Sequence, residues 1–145
     1  MYKHILIATD GSELAGKAVA AGFDLARRLE AQVTVVTITE PWTALVISDA
    51  AFGFPIDDYE KSANESATLI LSGISKLARK AGINCVTVHD KDQYPSEGIL
   101  ETAAKNSCDL IVMASHGRRG LGRILLGSVA AQVLTHSTVP VLICR

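Results

Sequence analysis

The residues from His116 to Gly127 combine four glycines with three arginines and contain no acidic side chain. Glycines let backbone N–H groups come close to a ligand, and the forked donors of arginine match the oxygens of a phosphate group. Ser128 follows with the small polar side chain that helix N-termini prefer, where unpaired N–H groups and roughly half a positive charge attract anions. The stretch alone is consistent with phosphate binding, and equally with a solvent-exposed connection whose arginines keep the protein soluble.

Other side chains that could take part in catalysis lack the partner groups that catalysis needs. Asp10, in the turn sequence DGSE, has no second carboxylate nearby, so we expect a ligand contact combined with partial capping of a helix. No nucleophile or paired carboxylate has a spacing that demands His116 as a general acid or base. We therefore interpret His116 as a hydrogen-bond donor in a phosphate loop or as an exposed loop histidine. One or two of Arg118, Arg119 and Arg123 are expected to neutralise phosphates. We predict no catalytic residue, and no metal site from protein side chains, because the remaining histidines are scattered.

Composition indicates one globular domain covering residues 1–145. Hydrophobic residues make up 48% of the chain, which excludes disorder, and the net charge of −1 gives no reason to expect nucleic acid or an anionic membrane as partner. The N-terminus holds only a short apolar run, and no stretch approaches the ~20 apolar residues of a membrane span. The three cysteines are widely spaced and lack a CxxC pattern, which indicates reduced thiols in a cytoplasmic protein.

Hydrophobic periodicity and turn residues divide the chain into five strands and four helices. The strands are short apolar runs rich in β-branched residues, as expected where both faces of a sheet are covered. We place them at Tyr2–Thr9, Gln32–Thr39, Asn84–His89, Asp109–Ser115 and Val139–Cys144. The helices are placed at Glu13 to about Glu30, Asp57 to about Ala81, Pro95 to about Asn106, and Ser128–His136.

Two connections carry side chains of interest. Residues 40–56 show no clean period and contain Trp42, Phe52 and Phe54, which predicts an apolar loop that folds over a site or lies in an interface. The acidic residues that follow the third strand, Asp90 to Glu97, are interpreted as a solvated turn.

Alternating strands and helices predict an α/β fold, with one doubly wound, five-stranded parallel sheet in the order 3-2-1-4-5 and helices on both faces. In that order a topological switch point lies between strands one and four, where such sheets bind their ligands. Asp10 and the loop that opens at Ala114 converge there. This convergence strengthens the phosphate-site hypothesis beyond what the loop alone supports.

Gly117 and Gly127 are separated by nine residues, and Ser128 follows directly. In this pattern the chain resembles the universal stress protein family, specifically its nucleotide-binding branch. The family signature is a glycine, two residues, a glycine, nine residues, then a glycine followed by serine or threonine, and Ala114 stands here at the first glycine. The segments YKHILIATDGSE and HSTVPVLICR also resemble the family's first and last strands. A methyl group at Ala114 would cost about 1 kcal/mol if the backbone there required a positive φ, and we expect binding to survive.

The resemblance implies a Rossmann-like, adenine nucleotide alpha hydrolase-like domain that binds ATP or AMP, with Mg²⁺ carried by the phosphates. Asp10 would contact the ribose or the phosphates, and Ile38 would meet the adenine, partly through its backbone. The loop from Gly117 to Val129 would wrap the phosphates. The implied nucleotide-binding residues are Ala8, Thr9, Asp10, Ile38, Met113, Ala114, His116, Gly117, Arg118, Arg119, Gly127, Ser128 and Val129.

The implied function is that of a non-catalytic stress or energy sensor. Two alternatives stay open: a slow ATPase or nucleotidyl-transfer enzyme on the same fold, and a family member that no longer binds nucleotide. A fast enzyme is not expected, because the chain lacks the lysine-containing phosphate loop GxxxxGK(S/T). A phospho-receiver domain ranks low because Asp10 stands alone, and a dinucleotide enzyme ranks lower because the first strand–helix turn has no GxGxxG.

The last strand is a sheet edge in the predicted order. The run from Val139 through Pro140, Val141, Leu142 and Ile143 is apolar and would expose its backbone groups if left bare. Pro140 fits an edge, where one donor can be spared. Antiparallel pairing with the same strand of a second copy would cover it, which predicts a homodimer.

Overall fold

A five-stranded parallel sheet forms the centre of the computed structural model, which describes residues 1–47, 55–117 and 126–145. Within these residues five strands and five helices follow one another along the chain. The strands are β1 (His4–Ala8), β2 (Gln32–Thr39), β3 (Cys85–Lys91), β4 (Leu110–Ala114) and β5 (Val141–Cys144). The helices are α1 (Glu13–Leu29), α2 (Trp42–Ile47), α3 (Ile56–Ala81), α4 (Pro95–Lys105) and α5 (Ser128–His136).

The strands lie in the order β3-β2-β1-β4-β5, and every neighbouring pair is parallel, so the predicted fold is confirmed. β1 is central, with β2 and β3 on one side and β4 and β5 on the other. The loops that follow β1 and β4 therefore leave the sheet at neighbouring points of its carboxyl edge. This is the switch point at which the sequence places a ligand.

Most strand boundaries differ from the predicted ones by one or two residues, and two differences from the prediction have an identifiable physical reason. The third strand extends beyond His89 to Lys91, because it pairs with the long β2 in register as far as Thr39. The segment after β2 is not wholly a loop, since Trp42–Ile47 forms the short helix α2. Six residues are too few for a helical period to show in the sequence. The predictions for Phe52 and Phe54 lie outside the described residues.

The sheet separates two hydrophobic cores, because successive strand residues point to opposite faces. One face packs against α1 and α3, and we call its cluster the α1/α3 core; its strand residues include Ile5, Ile7, Val33, Val35, Leu110, Val112 and Ala114. The other face packs against α4 and α5, and its cluster is the α4/α5 core; its strand residues include Leu6, Ala8, Val36, Ile111 and Met113.

Helix α1 is fixed at its first turn and along its buried stripe. The Ser12 side chain is the N-cap and accepts a hydrogen bond from the Ala15 N–H at 3.3 Å. The buried residues of α1 are Ala15, Ala18, Val19, Gly22, Phe23 and Ala26. Gly22 lies directly on Ile7, where a side chain would clash. The start of α1 is therefore held firmly beside the end of β1.

The amino edge of the sheet is tied together by Asp109, which precedes β4. Its carboxylate accepts the backbone N–H groups of Lys3 at 2.8 Å and His4 at 3.1 Å. Slight burial of Asp109 would raise its pKa, but these N–H donors outweigh it and the pKa is lowered. The three cysteines are free thiols. Among the helices that the structure describes, none is both long enough and apolar enough to cross a membrane.

Candidate functional site

Asp10 and Gly117 bring the two switch-point loops into contact. Asp10 follows β1, and its Oδ1 accepts the Ser12 N–H at 2.9 Å, which turns the carboxylate toward the start of α1. Its other oxygen, Oδ2, lies so close to Gly117 that a Cβ atom at that position would collide with it. Only a glycine allows this approach. The two loops thus meet as the predicted topology requires.

Gly127 closes the loop that begins after β4. Its N–H donates to the carbonyl of Ser115 at 2.6 Å, so Gly127 lies next to the residue that directly follows β4. A Cβ atom on Gly127 would stand 3.0 Å from that carbonyl oxygen and 3.2 Å from the Cβ of His116. The predictions for Arg118, Arg119 and Arg123 lie outside the described residues.

Helix α5 begins directly at this closure. Ser128 is its first residue, whereas the N-cap position belongs to Gly127, which has no side chain to accept a bond. The first-turn N–H groups of α5, including those of Ser128 and Val129, are thus without the side-chain cap that usually satisfies one of them. They lie at the carboxyl edge of the sheet, where an anion could accept their hydrogen bonds.

An apolar wall adjoins these polar groups. Ala8, Ile38 and Met113 stand at or near the carboxyl ends of three strands, and all three belong to the face that carries the α4/α5 core. Ala8 and Met113 are buried, whereas Ile38 is half-buried. The combination of an apolar wall with a rim of backbone donors suits a ligand that has a flat apolar part and an anionic part.

The backbone of Ile38 points into the space beside that wall. The Val36 carbonyl accepts the Thr9 N–H at 3.0 Å, whereas the Val33 N–H donates toward β3, to the Asn84 carbonyl, at 2.9 Å. Alternate residues of β2 therefore turn their backbone groups toward β1 and β3 in succession. Ile38 has the same orientation as Val36, but β1 has already ended opposite it. Its N–H and carbonyl are thus directed beyond the end of β1.

Ala114 fits the site without backbone strain. Its φ is not among the positive values, which occur for non-glycine residues at Glu30, Asp92 and Ser107. Its methyl group belongs to the α1/α3 core, on the face opposite Met113. The methyl that replaces the signature glycine therefore packs into the core and away from the apolar wall.

Histidine side chains near the site make local contacts. The Nδ1 of His116 lies 3.2 Å from the Ser115 hydroxyl oxygen. His89, which pairs with Thr37 on the face of the α1/α3 core, lies 2.7 Å from the Thr39 hydroxyl through its Nε2. Partial burial lowers the pKa of His89 and the charge of Lys91 lowers it further, against a smaller opposing effect of Asp90.

Sequence reasoning missed Asp90 and Gly98. Asp90 was interpreted as part of a solvated turn, but it belongs to β3, is half-buried and pairs in register with Ile38. Gly98 lies buried in α4 against both of these residues. The length of β2 was the available signal, because a parallel neighbour of an eight-residue strand extends to match it.

A groove of about 530 Å³ lies on the other side of the sheet, between α1 and α3. Its described lining includes Thr9 among the predicted site residues and is otherwise formed by the two helices and the turn before α1. In residues 1–47, 55–117 and 126–145, no three His, Cys, Asp or Glu side chains gather in a way that could hold a metal ion. The candidate site is thus built from glycines, one carboxylate, backbone donors and an apolar wall.

The family of this chain follows from comparison with known proteins. The model of the universal stress protein family matches residues 1–145, and the chain belongs to that family. It is similar to the universal stress protein YxiE of Bacillus subtilis, with 31% identity over 152 residues that span 100% of both chains. It is also similar to the universal stress protein MJ0531 of Methanocaldococcus jannaschii, with 31% identity over 100% of this chain and 83% of the relative.

Solved structures share the fold. The structure of the protein MJ0577 superposes with a TM-score of 0.83 at 28% identity, over 99% of this chain and 96% of that one. A universal stress protein in complex with cAMP gives a TM-score of 0.69 at 24% identity, over 99% and 97% of the two chains. The Archaeoglobus fulgidus universal stress protein in complex with dAMP gives 0.69 at 23% identity, over 99% and 98%.

Proposed function

We propose that this protein binds an adenine nucleotide, ATP or AMP, at the carboxyl edge of its sheet and acts as a non-catalytic dimeric sensor. The observation that carries the proposal is the contact of Asp10 with Gly117 beside the Gly127–Ser115 closure, next to an apolar wall. The complexes with cAMP and dAMP establish only the shared fold at their level of identity. The ligand proposed for this chain therefore rests on its own residues.

Each part of a nucleotide has a matching group. The base would lie on Ala8 and Met113 and exchange hydrogen bonds with the outward N–H and carbonyl of Ile38. Asp10 suits the ribose better than the phosphates, because an ionised carboxylate accepts hydrogen bonds from hydroxyl groups and repels anions. We assign Thr9 to holding this turn, since its hydroxyl accepts the Gly11 N–H at 3.2 Å.

The phosphates would lie over the closed loop and the first turn of α5. Gly117, Gly127, Ser128 and Val129 would contribute backbone N–H groups, whose dipoles favour an anion there. We also propose Arg118, Arg119 and His116 as donors, by their side-chain chemistry. We propose that any Mg²⁺ accompanying ATP is carried by the phosphates.

The proposal of a non-catalytic role rests on the described contacts of the site. Asp10 is engaged with the Ser12 N–H and lies against Gly117, and His116 lies against Ser115. Ser115 is only 2% exposed, so the hydroxyl beside His116 is buried away from a substrate and would not serve as a nucleophile. Binding would instead change the conformation or association of the protein, which a sensor requires.

Nucleotide titration tests this function. The purified protein is extracted with acid, any released nucleotide is identified by chromatography, and the stripped protein is titrated with ATP, AMP and NADH. We expect binding of ATP or AMP, and Gly127→Val to weaken it by at least about tenfold, because the new side chain meets the Ser115 carbonyl.

Gly73→Val is the matched control, since Gly73 has open space around its Cβ position. Wild-type protein with no adenine-nucleotide affinity at millimolar concentration would exclude the proposed function. Steady hydrolysis that follows the protein through purification and disappears in Asp10→Ala would instead indicate an enzyme.

A further inference from the structure

Gly98 lies where no side chain fits. It is buried in α4, and a Cβ atom there would stand 2.7 Å from Cδ1 of Ile38 and 3.0 Å from Oδ2 of Asp90. Ile38 and Asp90 are paired in register on β2 and β3, so their side chains lie next to each other on the face covered by α4. The missing side chain at position 98 thus provides the space that the Ile38 side chain occupies.

The backbone on the strand side of this contact is held in place. The Thr39 hydroxyl lies 2.7 Å from the His89 ring, and the Tyr59 hydroxyl donates to the Glu40 carbonyl at 2.6 Å. These bonds connect the end of β2 with β3 and α3. A crowded Ile38 therefore cannot be relieved by movement of its own backbone.

The helix side of the contact is held as well. Ser96, two residues before Gly98, is buried and donates its hydroxyl to the Gln132 side chain at 2.7 Å. This bond ties the first turn of α4 to α5, the helix whose N-terminus forms part of the candidate site. Withdrawal of α4 would thus disturb α5. An added methyl at Gly98 would be relieved mainly by rotation of the Ile38 side chain.

We infer that Gly98 is a positioning residue: it keeps the Ile38 side chain against α4 and thereby determines how much space is left for the base. The inference rests on the proposed function, in which the base lies beside Ile38. If the Ile38 side chain is displaced from the face covered by α4, it turns toward the carboxyl edge of the sheet. The backbone N–H and carbonyl of Ile38 face the same space, in which the base is proposed to lie. The base would lose room while the phosphate-binding groups stay in place.

Titration of Gly98→Ala with AMP and ATP tests the inference. We expect both affinities to fall by about tenfold, since one methyl group in a fitted pocket has an effect of that size. The ratio of the two affinities should stay at its wild-type value, because the added methyl is far from the phosphate groups in this arrangement. A general loss of structure at the site would change that ratio.

The double variant Gly98→Ala/Ile38→Val identifies the route of the effect. Ile38→Val removes Cδ1, the atom nearest to the added methyl, so the double variant should recover most of the lost affinity relative to Ile38→Val alone. Gly73→Ala serves as the matched control, because it is also a glycine-to-alanine change within a helix but has open space.

Each outcome is decisive. Wild-type affinity for AMP in Gly98→Ala would refute the inference and leave the proposed function intact. A loss that Ile38→Val does not restore would also refute it, because the effect would not act through Ile38. Wild-type protein that binds neither AMP nor ATP would overturn the proposed function and this inference together.

Discussion

Ala114 is the residue at which this chain departs from the family signature, and its surroundings explain why the departure is tolerated. The backbone there has no positive φ, and the methyl packs into the α1/α3 core on the face opposite Met113. A glycine at this point would supply neither a required conformation nor additional room beside the apolar wall. The signature position is compatible with any small residue in this fold.

Restoring the glycine therefore has a specific expected result. Ala114→Gly should leave the AMP affinity within about twofold of wild type and lower the free energy of unfolding by about 1–2 kcal/mol. The cost combines the backbone entropy of glycine in a strand with the loss of a buried methyl group. Calorimetric titration and urea unfolding measure the two quantities. A tenfold gain in affinity would show that the methyl does crowd the nucleotide.

The contacts between switch-point residues were predictable from sequence only in part. The approach of Asp10 to Gly117 followed from strand order, because the loops after β1 and β4 leave neighbouring strands. Asp90 was indicated only by the length of β2, and its immediate context pointed the other way, since an acidic residue after an apolar run is usually solvated. Gly98 had no signal of its own. Their contact with Ile38 depends on how closely α4 lies over the ends of β2 and β3, which a linear pattern does not encode.

At the level of elements, the periodic segments were predicted well because burial on both faces leaves a strong apolar signal. All five strands and the four longer helices are present in the predicted order. The sequence failed where length or pairing decided the outcome. Helix α2 is too short to show a period, and the end of β3 is fixed by β2 rather than by its own composition.

The edge strand β5 is the element on which the proposed dimer depends. The Ser115 N–H donates to the Cys144 carbonyl at 2.8 Å, so Cys144 faces β4, and alternation turns the backbone groups of Val141 and Ile143 outward. Leu142 is 41% exposed on this edge. Two copies related by a two-fold axis would pair these groups antiparallel, which is the interface that we propose.

A charge placed on this edge should separate the copies. We expect the wild-type protein to be a dimer in light scattering and Leu142→Glu to be a monomer, because a two-fold interface brings the two new charges together. Val86→Glu is the control, since Val86 is 57% exposed on β3 at the opposite edge of the sheet. A Leu142→Glu protein that stays dimeric would place the interface elsewhere.

On the scale of the whole molecule, the sheet divides the protein into regions that a ligand would affect differently. The proposed nucleotide site lies at the carboxyl edge and on the side of the α4/α5 core. The groove between α1 and α3 lies on the other side, and the amino edge, tied by Asp109, lies at the opposite end of the strands. A residue-by-residue measurement of which amides a ligand perturbs therefore distinguishes the proposed site from the α1/α3 groove and from the amino edge.

Titration of AMP into uniformly ¹⁵N-labelled protein, followed by amide chemical shifts, shows directly whether a nucleotide binds at the carboxyl edge. We expect the largest shifts at Asp10, Ile38, Ala114, Gly117 and the Gly127–Val129 turn. The amides of Lys3 and Asp109 at the amino edge should hardly change. Shifts confined to the α1/α3 groove, around Gly73 and Leu77, or the absence of any shift at millimolar AMP, would contradict binding at the carboxyl edge.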